Sequence, residues 1–336
     1  MPARNLLTAC LLGIVIPIAA NGHHSPAAFD VTTEIEVVGT IAEVEWTNPH
    51  IYVAVETVGP DGQPRLQRLE ADGVAAARTS GLTKDILARG ARVTFRAAPN
   101  RRGASHTALA IDVTTADGSI YPLGPRGRSL RPAVEPVPAQ SLASKWAPKP
   151  ADLAGFGSAT RTWPLTEAAR AAMTDVESTL ASAAGCTPYP QPALMAVHLL
   201  RTIEITDDAV LIRIDWPDIV RTVRLDLAEH PADVEPTLLG HSIGWWEGDA
   251  LVIDTVGFTA HRQGIGWGIP SSPRKHMVER LSLTPDRRRL RYEFMLEDPE
   301  YLSAAVSYRM LWDHRPDLEP STEPCDSAVA RRFLDD

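Results

Sequence analysis

Cysteine is scarce in this chain: three residues in 336, one of which, Cys10, sits in an apolar N-terminal run. Neither Cys186 nor Cys325 has a neighbouring Cys or His at ligand spacing, which excludes a zinc-finger or zinc-ribbon site. Positive charge is also in short supply. Lys and Arg number 33 against 42 Asp and Glu, giving a formal net charge of -9. Phosphate backbones and anionic lipid surfaces are bound by clustered Lys and Arg, so neither a nucleic acid nor a membrane surface is expected as a partner. The basic runs at 126–131 and 287–289 read as solvated loop charge. Outside residues 6–20 no segment approaches the roughly 18 uninterrupted apolar residues of a membrane-spanning helix. Complete catalytic signatures are missing too. Residues 240–244 (Gly-His-Ser-Ile-Gly) fit G-x-S-x-G, but turn material precedes them and a second turn with a β-branched run follows. A nucleophile elbow needs a strand before the serine and a helix after it. The glycine-rich segment 263–270 lacks the lysine, helix and βαβ setting of a phosphate loop.

What is present begins with an address. Residues 1–22 combine Arg4, an apolar stretch, small residues and a polar start at Asn21, the pattern of a secretory signal peptide cleaved after Ala20 or Gly22. The apolar core follows Cys10 instead of preceding it, which argues against a lipid anchor. Export leaves Cys186 and Cys325 in an oxidising compartment, where such a pair predicts a disulfide. The mature chain is expected to be periplasmic or secreted, with no transmembrane segment.

The rest reads as mainly β. Residues 23–124 alternate apolar and polar with turn punctuation, predicting five or six short strands, a bend or bulge at Gly39 and a brief helix at 83–87. That content suggests a small OB-like barrel. Residues 125–162 carry six prolines and read as an extended Pro-rich linker or a strap over a domain surface, not a packed element. From 163 to 336 a helix over about 164–184 precedes eight candidate strands joined mostly to their neighbours, which suggests a larger antiparallel β-barrel or curled sheet. Within it, residues 240–258 predict a β-hairpin with Gly248 supplying the positive φ of its turn.

Two resemblances attach to particular residues. His23-His24-Ser25, Phe29-Asp30, Gly39, the Glu-Trp-Thr-Asn-Pro-His-Ile run at 45–51, Glu70 and Leu82-Thr83-Lys84-Asp85 resemble a family of bacterial exported domains of unknown function, over roughly 23–124. Pro164-Leu165-Thr166, Cys186, His230-Pro231, residues 240–244, Trp246-Glu247-Gly248-Asp249, residues 251–255, Gly257-Phe258, His276, Glu279-Arg280 and residues 297–299 resemble a second family of exported β-proteins. That likeness spans roughly 163–326. No reaction is assigned to the second family either, so the resemblances imply fold and export and no mechanism.

Histidine carries most of the candidate chemistry. If cleavage exposes His23 as the terminal residue, its amine and imidazole with His24, completed by His50, could hold copper or zinc. In the C-terminal half, His230, His241 and His276 lie in or beside turns, and Asp254 and Glu279 are carboxylates in otherwise apolar strands. Charge in a barrel wall is costly unless paired or wet, so His241, His276, Asp254 and Glu279 are candidates for acid/base catalysis. Trp245, Trp246, Trp267 and Phe258 are candidate contacts for a ligand, and segment 263–270 is a candidate flap over it. The leading expectation is a protein that binds a small, largely apolar molecule in its C-terminal domain. An enzyme of either kind and a structural envelope protein are the alternatives.

Overall fold

Period-two burial builds a first set of strands: β1 (Ile35–Glu45), β2 (His50–Val58), β3 (Pro64–Asp72), β4 (Arg92–Pro99), β5 (Thr107–Thr115) and β6 (Ile120–Pro122). The computed structural model describes residues 29–48, 50–101, 106–124, 127, 134–173, 186–215, 219–266, 268–321, 323, 325, 326 and 328. The sheet order is β3-β2-β1-β4-β5-β6, and a parallel pairing of β3 with β5 closes the first five strands into a ring. With one helix between β3 and β4, this is an OB-like barrel. Val53, Val55, Leu69, Phe95 and Val113 fill its core. The bulge falls between Ile41 and Glu43. Gly39 answers a different demand, because a Cβ there would stand 2.1 Å from the Glu56 carbonyl oxygen.

The helix of this barrel, α1, is Val74–Thr79 and not 83–87. Its apolar run Val74 to Ala77 faces the core, and the Val74 N–H donates to Asn48 Oδ1 at 3.0 Å. Residues 83–88 form successive i to i+3 turns instead, tucking Leu87 inward. Trp46, Thr47 and Asn48 are all buried. Asn48 also donates to the Glu323 carbonyl and accepts from the Asp326 N–H, so this motif fastens the C-terminal tail to the first barrel. The same tail is held by a disulfide between Cys186 and Cys325.

The second barrel is closed and has nine strands: β7 (Lys145–Pro148), β8 (Arg201–Ile205), β9 (Ala209–Ile214), β10 (Ile219–Arg224), β11 (His241–Glu247), β12 (Ala250–Val256), then β15 (His276–Leu283), β16 (Arg289–Glu297) and β17 (Val306–His314). Eight are the expected ones. The ninth, β7, lies in the stretch expected to be a linker. It pairs with β17 and β8 and so closes the ring, with Trp146 buried inside. Helix α2 (Pro150–Thr160) follows, its proline at the first turn where the missing N–H costs nothing, and Ala139, Leu142 and Phe156 join the same core. The strap reading suits 134–144, which run largely exposed over the barrel, whereas residues 145–160 are a strand and a helix packed into it. The helix expected over 164–184 is α3 (Glu167–Ala172), capped by Thr166, whose hydroxyl accepts from the Ala169 N–H at 3.1 Å. Residues 174–185 lie outside the described residues.

Gly248 sits at φ +60 in a two-residue turn, with Glu247 paired to Ala250, as the hairpin reading requires. The 263–270 segment is no flap. Strands β13 (His261–Gly266) and β14 (Ile269–Ser271) make a hairpin whose Gln263, Ile265 and Ile269 are buried against the barrel core. One neighbour relation in the ring departs from the rest: β10 and β11 run parallel, through Val223–Ser242 and Arg224–Ile243. A parallel pair needs a crossover, and residues 225–240 provide it. That requirement places His230 beside the barrel wall.

Candidate functional site

Side chains alternate between the two faces of a strand, and in β12 this splits the polar residues into two groups. Leu251, Ile253 and Thr255 are fully buried and face the barrel interior, whereas Asp254 is half-buried on the outer face. Register then decides what each group meets.

Inside, Arg221 of β10 pairs with Glu279 of β15 through both guanidinium Nη atoms, Nη1 to Oε1 at 2.8 Å. Its remaining donors reach Ser242 and Thr255. Tyr292 donates its hydroxyl to Glu279 Oε1 at 2.7 Å. The Gln191 amide oxygen, turned toward Arg221, accepts at 3.1 and 3.2 Å. Arg221 and Glu279 are 2% and 0% exposed, so the pair is enclosed by protein, and burial together with the Glu279 charge raises the Tyr292 pKa. Two further buried cations stand nearby in the fold. Arg201 packs over Trp312 and donates to the Leu194, Leu199 and Val197 carbonyls, and burial lowers its pKa to about 9. Lys275 donates to the Gln191 and Gly264 carbonyls over the Phe258 ring, and burial lowers its pKa to about 7.

Outside, Asp254 lies beside Ile243 of β11 and Val278 of β15. His241 and His276, each two residues before those neighbours, share its face. His276 Nε2 donates to Asp254 Oδ2 at 3.0 Å, and His230 of the crossover donates from Nε2 to Oδ1 at 2.9 Å. The other ring nitrogen of His230, Nδ1, meets His241 Nδ1 at 2.8 Å. Glu297 ends the row, 3.8 Å from His276 Nδ1. Burial works against the Asp254 charge, but the hydrogen bonds from His276 and His230 prevail and its pKa is lowered. The bond to Asp254 raises the His276 pKa in turn. Burial, with His230 and Arg224 nearby, lowers that of His241.

His241 also lines a groove. About 620 Å³ of space, open to solvent, lies along β10 and the end of the crossover, walled by Pro188, Ile219, Val220, Leu238 and Leu239 and, on its polar side, by Arg221, Thr222, Arg224, Thr237, His241 and Ser242.

The structure thus brings His241, Asp254 and His276 together on the outer face and puts Glu279 on the inner one, committed to Arg221. Ser242 is a buried strand residue serving the same arginine. Trp245 and Trp246 stand 42% and 43% exposed near the hairpin tip, away from the groove, and Phe258 is buried beneath Lys275, so none of the three lines it. Trp267 lies outside the described residues, as do His23 and His24. His50 contacts the Ala71 carbonyl at 3.1 Å and Glu70 at 3.5 Å, and burial raises the Glu70 pKa. Among the described residues no group of three His, Cys, Asp or Glu is placed to hold a metal ion. His230, singled out in sequence with His241 and His276 but left out of the acid/base set, is the link that joins Asp254 to His241.

These features define a mainly β protein of two closed barrels with a Cys186–Cys325 disulfide, in which no helix of the described residues is long and apolar enough to cross a membrane. Residues 13–109 match a family of unknown function, DUF6152. The match agrees with the likeness of the first barrel to a domain of unknown function and ends before the second. No curated protein matches the chain. Among solved structures, that of a mutant of the fluorescent protein UnaG is similar at 13% identity, covering 34% of this chain and 70% of that one with a TM-score of 0.21.

Proposed function

We propose that the protein is exported, periplasmic or secreted, and that residues 163–336 bind a small, largely apolar molecule, with residues 23–124 as an accessory or docking module. The groove along β10 carries this reading. Its volume of about 620 Å³ falls within the range of about 300–1,000 Å³ usual for small-molecule sites, and it joins an apolar wall of Ile219, Val220, Leu238 and Leu239 to convergent polar groups, as they do. Val220, 37% exposed in that wall, is solvent-facing apolar surface that a ligand would cover. Export is supported by the residue 1–22 pattern and by the Cys186–Cys325 disulfide, a bond that persists in oxidising compartments.

Binding of N-phenyl-1-naphthylamine, whose fluorescence rises in apolar surroundings, tests the reading. The expected result is saturable one-to-one binding that Val220→Arg weakens at least about tenfold, on the order of 1.4 kcal/mol, with the circular dichroism spectrum unchanged because the side chain is exposed. Absence of saturable binding, or equal binding by the variant, overturns it.

A further inference from the structure

We propose that Asp254, His230 and His241 form a proton relay that ionises a weakly acidic hydroxyl group, of the phenol class, on a molecule held in the groove. The inference rests on the groove-binding reading and adds to it the chemistry of the bound group.

The direction of each hydrogen bond follows from Asp254. A carboxylate only accepts, so Nε2 of both His230 and His276 must carry a proton. A neutral His230 protonated there has a bare Nδ1, which can only accept. The 2.8 Å contact to His241 Nδ1 is then donated by His241. This leaves the lone pair of His241 on Nε2, which makes no hydrogen bond to a described residue, on a residue that lines the groove. A base has been oriented by a second imidazole that is itself oriented by a carboxylate, the arrangement that makes a general base effective.

The proton balance is closed. The ligand O–H bond breaks, its electron pair stays on oxygen, and an N–H bond forms at His241 Nε2. The Nδ1 proton of His241 passes to His230 Nδ1. His230 becomes the imidazolium, 2.9 Å from Asp254. Passing the charge on matters because His241 is a poor place to leave it: burial, His230 and Arg224 all disfavour its charged form. The other groups facing the row favour the transfer. Asp254 faces both His230 and His276, and Glu297 stands beside His276, so two carboxylates border the row on which the proton is received. Arg224, tied to Asp226, is the cation on the groove side, where the ligand oxyanion would form. The apolar wall of Ile219, Val220 and Leu239 suits an aromatic ring.

The test uses 4-nitrophenol, whose ionisation is read from its absorption band, beside 4-nitroanisole, the same ring with no proton to give. Calorimetry supplies the affinities and a spectrophotometric pH titration the ionisation midpoint of the bound phenol. On the wild-type protein the phenol is expected to bind about tenfold tighter near neutral pH than the ether, with its midpoint lowered by about one unit. Asp254→Asn and His230→Gln are positioning variants, expected to lose that difference while keeping their affinity for the ether, which a merely structural role would not predict. Equal binding of the two probes with an unshifted midpoint on the wild-type protein refutes the relay and leaves the groove reading standing. A shift that survives both variants also refutes it. If neither probe binds, the groove reading fails and the relay with it.

Discussion

Replacing Glu279 by leucine should destabilise the second barrel by about 3–5 kcal/mol, the usual cost of removing one member of a buried ion pair. The magnitude follows from what is left behind. Among the described residues Glu279 is the only carboxylate that Arg221 bonds, and it accepts two of the guanidinium hydrogen bonds as well as that of the Tyr292 hydroxyl. Without it, a guanidinium that is 2% exposed keeps only the neutral acceptors Ser242, Thr255 and Gln191. Neutral acceptors do not compensate a desolvated charge, so most of the loss comes from the orphaned cation and little from the missing contacts. The control is Glu279→Leu combined with Arg221→Met, which removes both charges and keeps apolar volume. That double variant should recover at least about 2 kcal/mol of the loss, since apolar replacements of buried pairs are often neutral or better. Urea titration under non-reducing conditions, followed by tryptophan fluorescence from Trp146 and Trp312 in the same core, gives both values. A single-variant cost below about 1 kcal/mol would mean that the pair is solvated. A double variant no better than the single one would place the cost in shape, and the electrostatic account would fail.

Two further outcomes follow from the same structure. Reducing the Cys186–Cys325 disulfide frees a loop closed over a sequence separation of 139. In the chain-entropy picture this is on the order of 5 kcal/mol, so the urea midpoint should fall sharply in dithiothreitol; an unchanged midpoint would show that the bond does not constrain the unfolded chain. Lys275, whose pKa burial lowers from 10.5 to about 7, binds fewer protons folded than unfolded between those values, so stability should rise with pH across that window. The gain between pH 7 and 9 is roughly 2 kcal/mol. Lys275→Met should flatten it, and an equal rise in wild type and variant would assign the slope to other groups.

How far the site was legible in the chain can be argued from a few residues. Asp254 stood out because a carboxylate among Leu251, Val252 and Ile253 conflicts with its neighbours, and such conflicts mark sites. Glu279 raised the same alarm and answered a different need, the charge of Arg221, because one step of strand parity separates the inner face from the outer. His230 was visible as a histidine beside a turn but gave no sign of its partners, because a histidine in a polar connection fits its surroundings. Residues 145–160 misled for a related reason. Proline density reports backbone conformation, whereas the burial of Trp146 depends on β17 and β8, which come later in the chain. The tryptophans of the 245–246 pair suggested a lined pocket, yet they end near a hairpin tip where no element covers them.

The sequence by itself determined the β character, the positions of the main strands, the Gly248 turn and the availability of one cysteine pair. These depend on local preferences, which neighbouring residues express whatever the distant chain does. Tertiary structure alone decided that β10 and β11 run parallel, that the resulting crossover lays His230 between Asp254 and His241, and that a groove opens beside them. Each of those depends on the register of strands far apart in sequence. Register is set by the packing of a whole closed barrel, and no local pattern encodes it.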